Sequence, residues 1–168
     1  MTDCDFLPDS ILFSDFGGDW SSFIEKVYSE FKNDFIDSKP QYLGKNVDII
    51  HQTIFDGKER SFWHIVSEGN CCDKDRIPDM RRCEKVTHVR PLIEHTDNSC
   101  QHYLVWQKFH DKTSKNRIYL WCVLDNFLVV LEDRKSYYKL ITAYDSERDC
   151  HEMWNLSPVL RSHRDRRE

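Results

Sequence analysis

The sequence predicts an α+β fold in which N-terminal helices pack on an antiparallel sheet of four or more strands, with a short C-terminal helix after the sheet. Two observations predict it. In the first part of the chain apolar residues recur at helical spacing, whereas from Tyr103 onward they fall in short β-rich runs joined by polar turns. Because the helices come first, we expect them on one face of the sheet, while the other face need not be covered.

The first predicted helix begins after Asp19, a residue type that caps helix N-termini well. Its apolar residues form a single stripe, made of Trp20, Phe23, Ile24, Val27, Tyr28, Phe31 and Phe35. The helix is predicted to end before Pro40, because the residue that precedes a proline avoids helical dihedral angles. Residues 1–18, which contain Pro8 and the pair Gly17-Gly18, are predicted to be irregular.

Two strands and a second helical segment are predicted in the middle of the chain. Residues 46–50 and 61–66 are typical of strands, and an Asp56-Gly57 turn signal separates them. After a polar loop, residues 79–89 predict a basic helix that Pro91 bends or ends. The apolar side of this helix would be formed by Met80, Cys83, Val86 and Val89.

Four β-rich runs then predict an antiparallel meander, at residues 103–109, 117–124, 127–131 and 137–144. The last two runs form a hairpin around the charged connection Asp133–Ser136. Residues 149–156 predict a short helix. We therefore expect one α+β domain over residues 19–157, preceded by an irregular segment, residues 1–18, and followed by a charged tail, residues 158–168.

The composition narrows the classes of function. The net charge of −5 argues against a general nucleic-acid coat protein, although a local basic patch could still hold a phosphate. The chain contains no apolar run long enough to span a membrane, and its acidic start lacks the features of a signal peptide, so we expect a cytoplasmic protein. The seven cysteines show no disulfide or zinc-ligand spacing, so we expect reduced thiols and neither a metal nor another cofactor.

One histidine and two hydroxyl groups stand out as candidates for chemistry on a phosphodiester. His64 lies in the aromatic run Phe62-Trp63-His64-Ile65-Val66, and an imidazole titrates near neutral pH, so it can act as base or acid. Thr142 and Tyr144 are two residues apart in the last strand and therefore share a face. The alternatives are a core histidine that a backbone carbonyl satisfies and ordinary strand residues.

Arginine grips a phosphate with a planar guanidinium, so Arg82 and Arg134 are candidates for binding the scissile phosphate. Further basic residues are candidates for contacts to RNA: Arg81, Lys85, Lys108 and Lys135. An ordinary solvated surface is the alternative for all of them.

Several segments together resemble the small nucleases of the barnase–EndoU–colicin–RelE superfamily. They are Phe62-Trp63-His64-Ile65-Val66, Arg81-Arg82-Cys83-Glu84-Lys85-Val86, Arg90-Pro91-Leu92-Ile93, residues 128–134 and residues 138–144. The resemblance covers about residues 45–150 and implies a metal-independent ribonuclease with dispersed site residues. It would make His64 the proton-transfer residue, Arg82 and Arg134 the phosphate clamp, and Thr142 with Tyr144 the positioning hydroxyls.

The chain departs from the better-known members in being acidic and in having no second histidine within a motif. Tyr144 or Lys108 would then be the second proton-transfer residue. The resemblance implies an endoribonuclease of toxin or phage-defence type that leaves 2′,3′-cyclic phosphate and 5′-hydroxyl ends, with a cognate antitoxin or immunity protein as its partner. A non-catalytic RNA- or protein-binding module and a metalloenzyme remain as alternatives, and the oligomeric state stays open. For the nuclease we expect His64, Arg134 and Thr142 to approach one cleft.

Overall fold

Helices, a six-stranded sheet and two small sheets, β3-β4 and β5-β6, make up the part of the chain that the computed structural model describes, residues 5–69, 73–95, 100 and 102–145. The α-helices are α1 (Trp20–Phe35), α2 (Arg60–Val66), α3 (Met80–Glu84) and α4 (Val89–Glu94). The strands are β1 (Gln41–Tyr42), β2 (Lys45–Asp48), β3 (Thr53–Phe55), β4 (Lys58–Glu59), β5 (Ser67–Glu68), β6 (Ile77–Pro78), β7 (Tyr103–His110), β8 (Lys115–Cys122), β9 (Phe127–Asp133) and β10 (Tyr138–Asp145). The α+β class is confirmed.

Helix α1 follows the predicted stripe closely. The Asp19 side chain accepts a hydrogen bond from the backbone N–H of Ser22 at 3.2 Å, as an N-cap does. The buried residues are Phe23, Ile24, Val27, Phe31 and Phe35. Trp20 instead stays 37% exposed, because it lies in the first turn of the helix, at its end.

The large sheet has the strand order β1-β2-β10-β9-β8-β7. Strands β7 to β10 form the antiparallel meander that the sequence predicts. Strand β2 pairs with β10 in parallel, with Val47 beside Tyr138 and Asp48 beside Lys139. The sheet is therefore mixed, and the expectation of a purely antiparallel sheet is wrong at this one position.

The predicted strand at residues 61–66 is wrong, because this segment forms helix α2. Its four large apolar residues are buried: Phe62, Trp63, Ile65 and Val66. Phe62 lies three residues before Ile65 and four before Val66, and Trp63 lies three before Val66, so these side chains lie on one side of the helix. A short apolar run of this kind fits a buried strand and a buried helix equally well, and its periodicity does not distinguish them.

The predicted helix at residues 79–89 is broken into two. Asp79 caps α3 by accepting a hydrogen bond from the backbone N–H of Arg82 at 2.9 Å, and a 3₁₀ turn at Val86–His88 precedes α4. Pro91 lies inside the first turn of α4, where a backbone N–H has no partner within the helix, so this proline does not end it. Among the predicted core residues, Cys83, Val86 and Val89 are buried, whereas Met80 is 37% exposed.

The two faces of the sheet carry different cores. The helices pack on one face and bury a large cluster there that includes Leu120, Leu131 and Leu140. On the other face a second cluster is buried, made of Trp106, Tyr119, Trp121, Leu128 and Val130, each at most 8% exposed. These aromatic side chains are therefore not an open platform for stacking RNA bases.

The predicted helix at residues 149–156 and the charged tail lie outside the described residues. Within them, Cys83, Cys100 and Cys122 are buried. None of the helices described here is both long and apolar enough to cross a bilayer.

Candidate active site

The candidate site lies along the edge of strand β10. Strand β2 covers β10 only at Tyr138 and Lys139, and helices α2 and α3 flank its later half. There the hydroxyl of Thr142 donates a hydrogen bond to the backbone carbonyl of His64 at 3.0 Å. The guanidinium of Arg82 lies over the ring of Tyr144, 5.6 Å from its centroid. The fold thus brings together four of the predicted site residues from three separate segments.

Thr142 and Tyr144 share a face of β10, as the sequence predicts. In the register of the sheet, Thr142 lies opposite Val130 and Tyr144 opposite Leu128. A bulge between Leu140 and Thr142 interrupts the alternation of the strand just before this pair. The hydroxyl of Thr142 donates its hydrogen bond to a backbone carbonyl of α2, so it holds that helix against the strand.

The imidazole of His64 is held by a carboxylate. Its Nε2 lies 3.1 Å from Oδ1 of Asp73, and the other oxygen of Asp73 lies 3.1 Å from Nη2 of Arg60. Arg60 and His64 are four residues apart in α2 and so lie on one face of this helix, about 6 Å apart at Cβ, close enough to share the carboxylate. In the strand that the sequence predicts they would be separated by about 13 Å.

The surroundings of His64 favour its neutral form. Burial lowers the pKa of His64 below its ordinary value of 6.5, and the positive charges of Arg76 and Arg60 also lower the pKa, while the hydrogen bond to Asp73 opposes them. The side chain remains 24% exposed, so a ligand can reach the ring. When Nε2–H donates to Asp73, the lone pair of the neutral ring lies on Nδ1.

Two arginines converge on one backbone carbonyl beside this histidine. Arg76 donates to the carbonyl of Ser67 at 2.8 Å and to its hydroxyl at 3.0 Å, and Arg82 donates to the same carbonyl at 2.9 Å. Burial lowers the pKa of Arg76, and the charge of Arg82 lowers it further. Glu68 lies 3.5 Å from Arg82 but is itself largely exposed. An anion bound between the two guanidiniums would relieve their mutual repulsion.

Arg134 is engaged by a buried carboxylate. Its Nη2 lies 2.6 Å from Oε1 of the buried Glu132, near the turn that connects β9 to β10. Lys135 is exposed at the tip of this turn, with a φ of 69°. The expected convergence of His64, Arg134 and Thr142 on one cleft stays a prediction: Thr142 contacts the backbone carbonyl of His64, whereas Arg134 is engaged by Glu132.

The other predicted RNA contacts have different environments. Lys85 is engaged inside the protein, since its Nζ donates to the carbonyl of Asp125 at 2.6 Å and lies 3.6 Å from Asp145. Arg81 is 73% exposed, with Asp145 at 3.9 Å. Lys108 is exposed on β7, opposite Arg117 on β8. Arg81 and Lys108 are thus accessible to a ligand, whereas Lys85 has a structural role.

Three residues of the site were not identified from the sequence: Arg60, Asp73 and Arg76. Arg60 would follow from its helical spacing to His64, had the segment been recognised as a helix. Asp73 and Arg76 lie in a polar loop between α2 and α3, and no local pattern distinguishes them from solvated charges. Only the tertiary fold brings them to the imidazole.

A second histidine takes part in a serine–histidine–aspartate arrangement. Nδ1 of His88 lies 2.7 Å from Asp125, and its Nε2 lies 3.4 Å from the hydroxyl of Ser10. The His88 side chain is only 6% exposed, so a substrate cannot reach the ring. These contacts tie the N-terminal segment to the turn between β8 and β9, and we interpret them as structural.

Comparison with known proteins gives no relative. No family model, curated protein or solved structure matches the chain. Function has to be inferred from the site itself.

Proposed function

We propose that the protein is a metal-independent endoribonuclease that cleaves RNA by attack of the 2′-hydroxyl. One observation carries the proposal: the imidazole of His64 is partly accessible and is held by Asp73, which also binds Arg60, while Arg76 and Arg82 meet at the neighbouring carbonyl of Ser67. RNA supplies its own nucleophile, so the enzyme needs a base, positive charge for the pentavalent transition state and an acid. The cluster offers the first two.

In the proposed reaction, Nδ1 of neutral His64 accepts the proton of the 2′-hydroxyl while the 2′-oxygen bonds to phosphorus. Arg76 and Arg82 stabilise the charge on the phosphoryl oxygens. The bond from phosphorus to the 5′-oxygen breaks, and this oxygen takes up a proton. The products are a 2′,3′-cyclic phosphate and a 5′-hydroxyl.

We assign the second proton transfer to Tyr144, whose ring lies under Arg82. Lys108, the other candidate, lies on β7, three strands away from β10 and about 14 Å from it at the usual strand spacing. That distance is too large for a direct proton transfer to the same phosphodiester.

The test compares two histidines that each pair with an aspartate. His64→Ala should lower the rate of RNA cleavage by about 10²–10⁴, the usual contribution of one general acid or base. His51→Ala is the matched control, because His51 also lies 3.1 Å from an aspartate, Asp48, but is 55% exposed, and its aspartate pairs with Lys39 rather than with an arginine. Cleavage should persist in excess EDTA, and a substrate with a 2′-deoxy group at the scissile nucleotide should remain intact.

Full activity of His64→Ala, or loss of the wild-type activity in EDTA, contradicts the proposed mechanism. If a contaminating nuclease were responsible for the cleavage, both histidine variants would show the same activity.

An RNA-binding module without activity is the second candidate. It is favoured by the presence of a single imidazole in the described cluster, that of His64, and by the engagement of the Thr142 hydroxyl with a backbone carbonyl. Tight binding of unmodified RNA that stays intact over the whole pH range would support this candidate over the nuclease.

A cytoplasmic nuclease of toxin or phage-defence type would damage the RNA of its own cell. The proposal therefore includes a cognate antitoxin or immunity protein that covers the site. Growth arrest on induction of the wild type, but not of His64→Ala, would support this role.

A further inference from the structure

A row of charged residues crosses the sheet on the face opposite the large helical core. In the register of neighbouring strands, Lys139 on β10 lies beside Glu132 on β9, Glu132 beside Arg117 on β8, and Arg117 beside Lys108 on β7. The flanking residues Leu131, Ile118 and Leu140 belong to the helical core, so the charged row points to the other face.

The row is strongly positive although it contains a carboxylate. Glu132 is only 1% exposed and is paired with Nε of Arg117 at 3.3 Å and with Nη2 of Arg134 at 2.6 Å. Lys139 lies beside Glu132 on β10, and Lys108 lies beside Arg117 on β7, so four cations accompany this single buried carboxylate. The next acid along the row, Asp48 on β2, lies 3.1 Å from Lys39 and also pairs with His51. The cations thus exceed what the local carboxylates neutralise.

The row begins on strand β10, which also carries Thr142 of the candidate active site. Burial lowers the pKa of Lys139, and the positive charges of Arg134 and Arg60 lower it further. Arg60 is the residue that shares Asp73 with His64. The bulge after Leu140 also places Lys139 on the same face as Thr142. The row therefore starts on the face of β10 that carries Thr142, whose hydroxyl contacts the backbone of His64.

We propose that the basic row, Lys108, Arg117, Arg134 and Lys139, is a track that binds the backbone phosphates of single-stranded RNA beyond the scissile nucleotide. The identity of its ligand rests on the proposed ribonuclease function. Three strand spacings give the row a length of about 14 Å, which accommodates more than one phosphate. The row is one side chain wide and therefore fits a single strand better than the two backbones of a duplex. The enzyme would thus favour oligonucleotides over dinucleotides.

Equilibrium binding tests this track without requiring cleavage. The probes are fluorescent 2′-O-methyl RNAs, a dinucleotide and a decamer, which lack the attacking hydroxyl. For each we would measure how log Kd depends on the logarithm of the salt concentration. The wild type should show a steeper slope for the decamer than for the dinucleotide, because more phosphates displace counterions.

The double variant Lys108→Gln/Lys139→Gln should reduce the decamer slope by about 1.4, or about 0.7 for each lost phosphate contact on a single strand. The arginines are left unchanged, because their removal would leave the buried Glu132 uncompensated. The control Lys26→Gln/Lys32→Gln removes the same charge from helix α1, on the other side of the sheet, and should retain the wild-type slope.

Equal slopes for the two RNA lengths, or a decamer slope that the Lys108/Lys139 variant leaves unchanged, would overturn the track. So would an equal reduction in the α1 control, since the effect would then reflect net charge alone. The two proposals fail separately. A length-dependent slope in a protein that never cuts RNA refutes the nuclease and leaves a binding track, whereas cleavage with no length dependence refutes only the track.

Discussion

The most informative perturbation is Asp73→Asn, because the structure specifies what an amide would do at this position. One carboxylate oxygen of Asp73 accepts from Arg60 and the other accepts from Nε2 of His64. Arginine has no acceptor, so the oxygen of the asparagine must face Arg60, and its NH₂ group then faces His64. The ring would have to accept at Nε2 and carry its proton on Nδ1, so the lone pair of the proposed base would be lost.

The expected cost of this change follows from the loss of the base. Asp73→Asn should slow RNA cleavage about as much as His64→Ala, by about 10²–10⁴, although it removes no group that touches the substrate. Asp48→Asn is the matched control, because Asp48 also pairs with a histidine and with a basic side chain. It should leave the rate of RNA cleavage unchanged.

Two measurements check this reasoning. Initial rates on a fluorogenic RNA report the activity, and ¹⁵N NMR of labelled histidine reports which ring nitrogen carries the proton. We expect Nε2–H for His64 in the wild type and Nδ1–H in Asp73→Asn. An unchanged tautomer with low activity would show that Asp73 acts otherwise, and an unchanged rate would refute the role of His64 as a base positioned by Asp73.

Two further predictions concern pH and stability. Since a base must be unprotonated and the pKa of His64 lies below its ordinary value of 6.5, log kcat/KM should fall with decreasing pH only below about 6.5, and an acid limb centred above that value would contradict the neutral histidine. Phe31→Ala should lower the free energy of unfolding by about 3–5 kcal/mol in urea titrations, because this ring is fully buried between Phe35 and Phe62. Trp20→Ala, at a 37% exposed position, should cost clearly less, and equal losses would show that α1 is not anchored as described.

Periodic patterns within one segment were sufficient to predict much of the fold. Helix α1 follows from the apolar stripe and from the capping Asp19, since both signals lie within the segment that folds. The meander of β7 to β10 follows from short runs and tight turns, which leave adjacent strands little choice of partner. The common face of Thr142 and Tyr144 follows from the two-residue period of a strand.

Where a sequence pattern fits two structures, tertiary packing determines which of them forms. The run at residues 60–66 is a helix because its buried face fits the core beside β10, and the spacing of Arg60 to His64 depends on that outcome. Strand β2 joins β10 in parallel over two residues, a pairing that no local signal indicates. The bulge after Leu140 likewise brings Lys139 onto the face of Thr142, whereas strict alternation would separate them.

In the candidate site, too, some residues follow from the local sequence and others only from the tertiary structure. The sequence alone predicted His64, Arg82, Thr142 and Tyr144 as candidates, from side-chain chemistry and from the resemblance to small nucleases, because both depend on local segments of the chain. Only the tertiary structure shows that Asp73 and Arg76 lie at the site and that Arg134 pairs with Glu132. The energy of a charge depends on which opposite charges lie within a few ångströms. Those neighbours come from distant segments, and only the folded chain determines which of them meet.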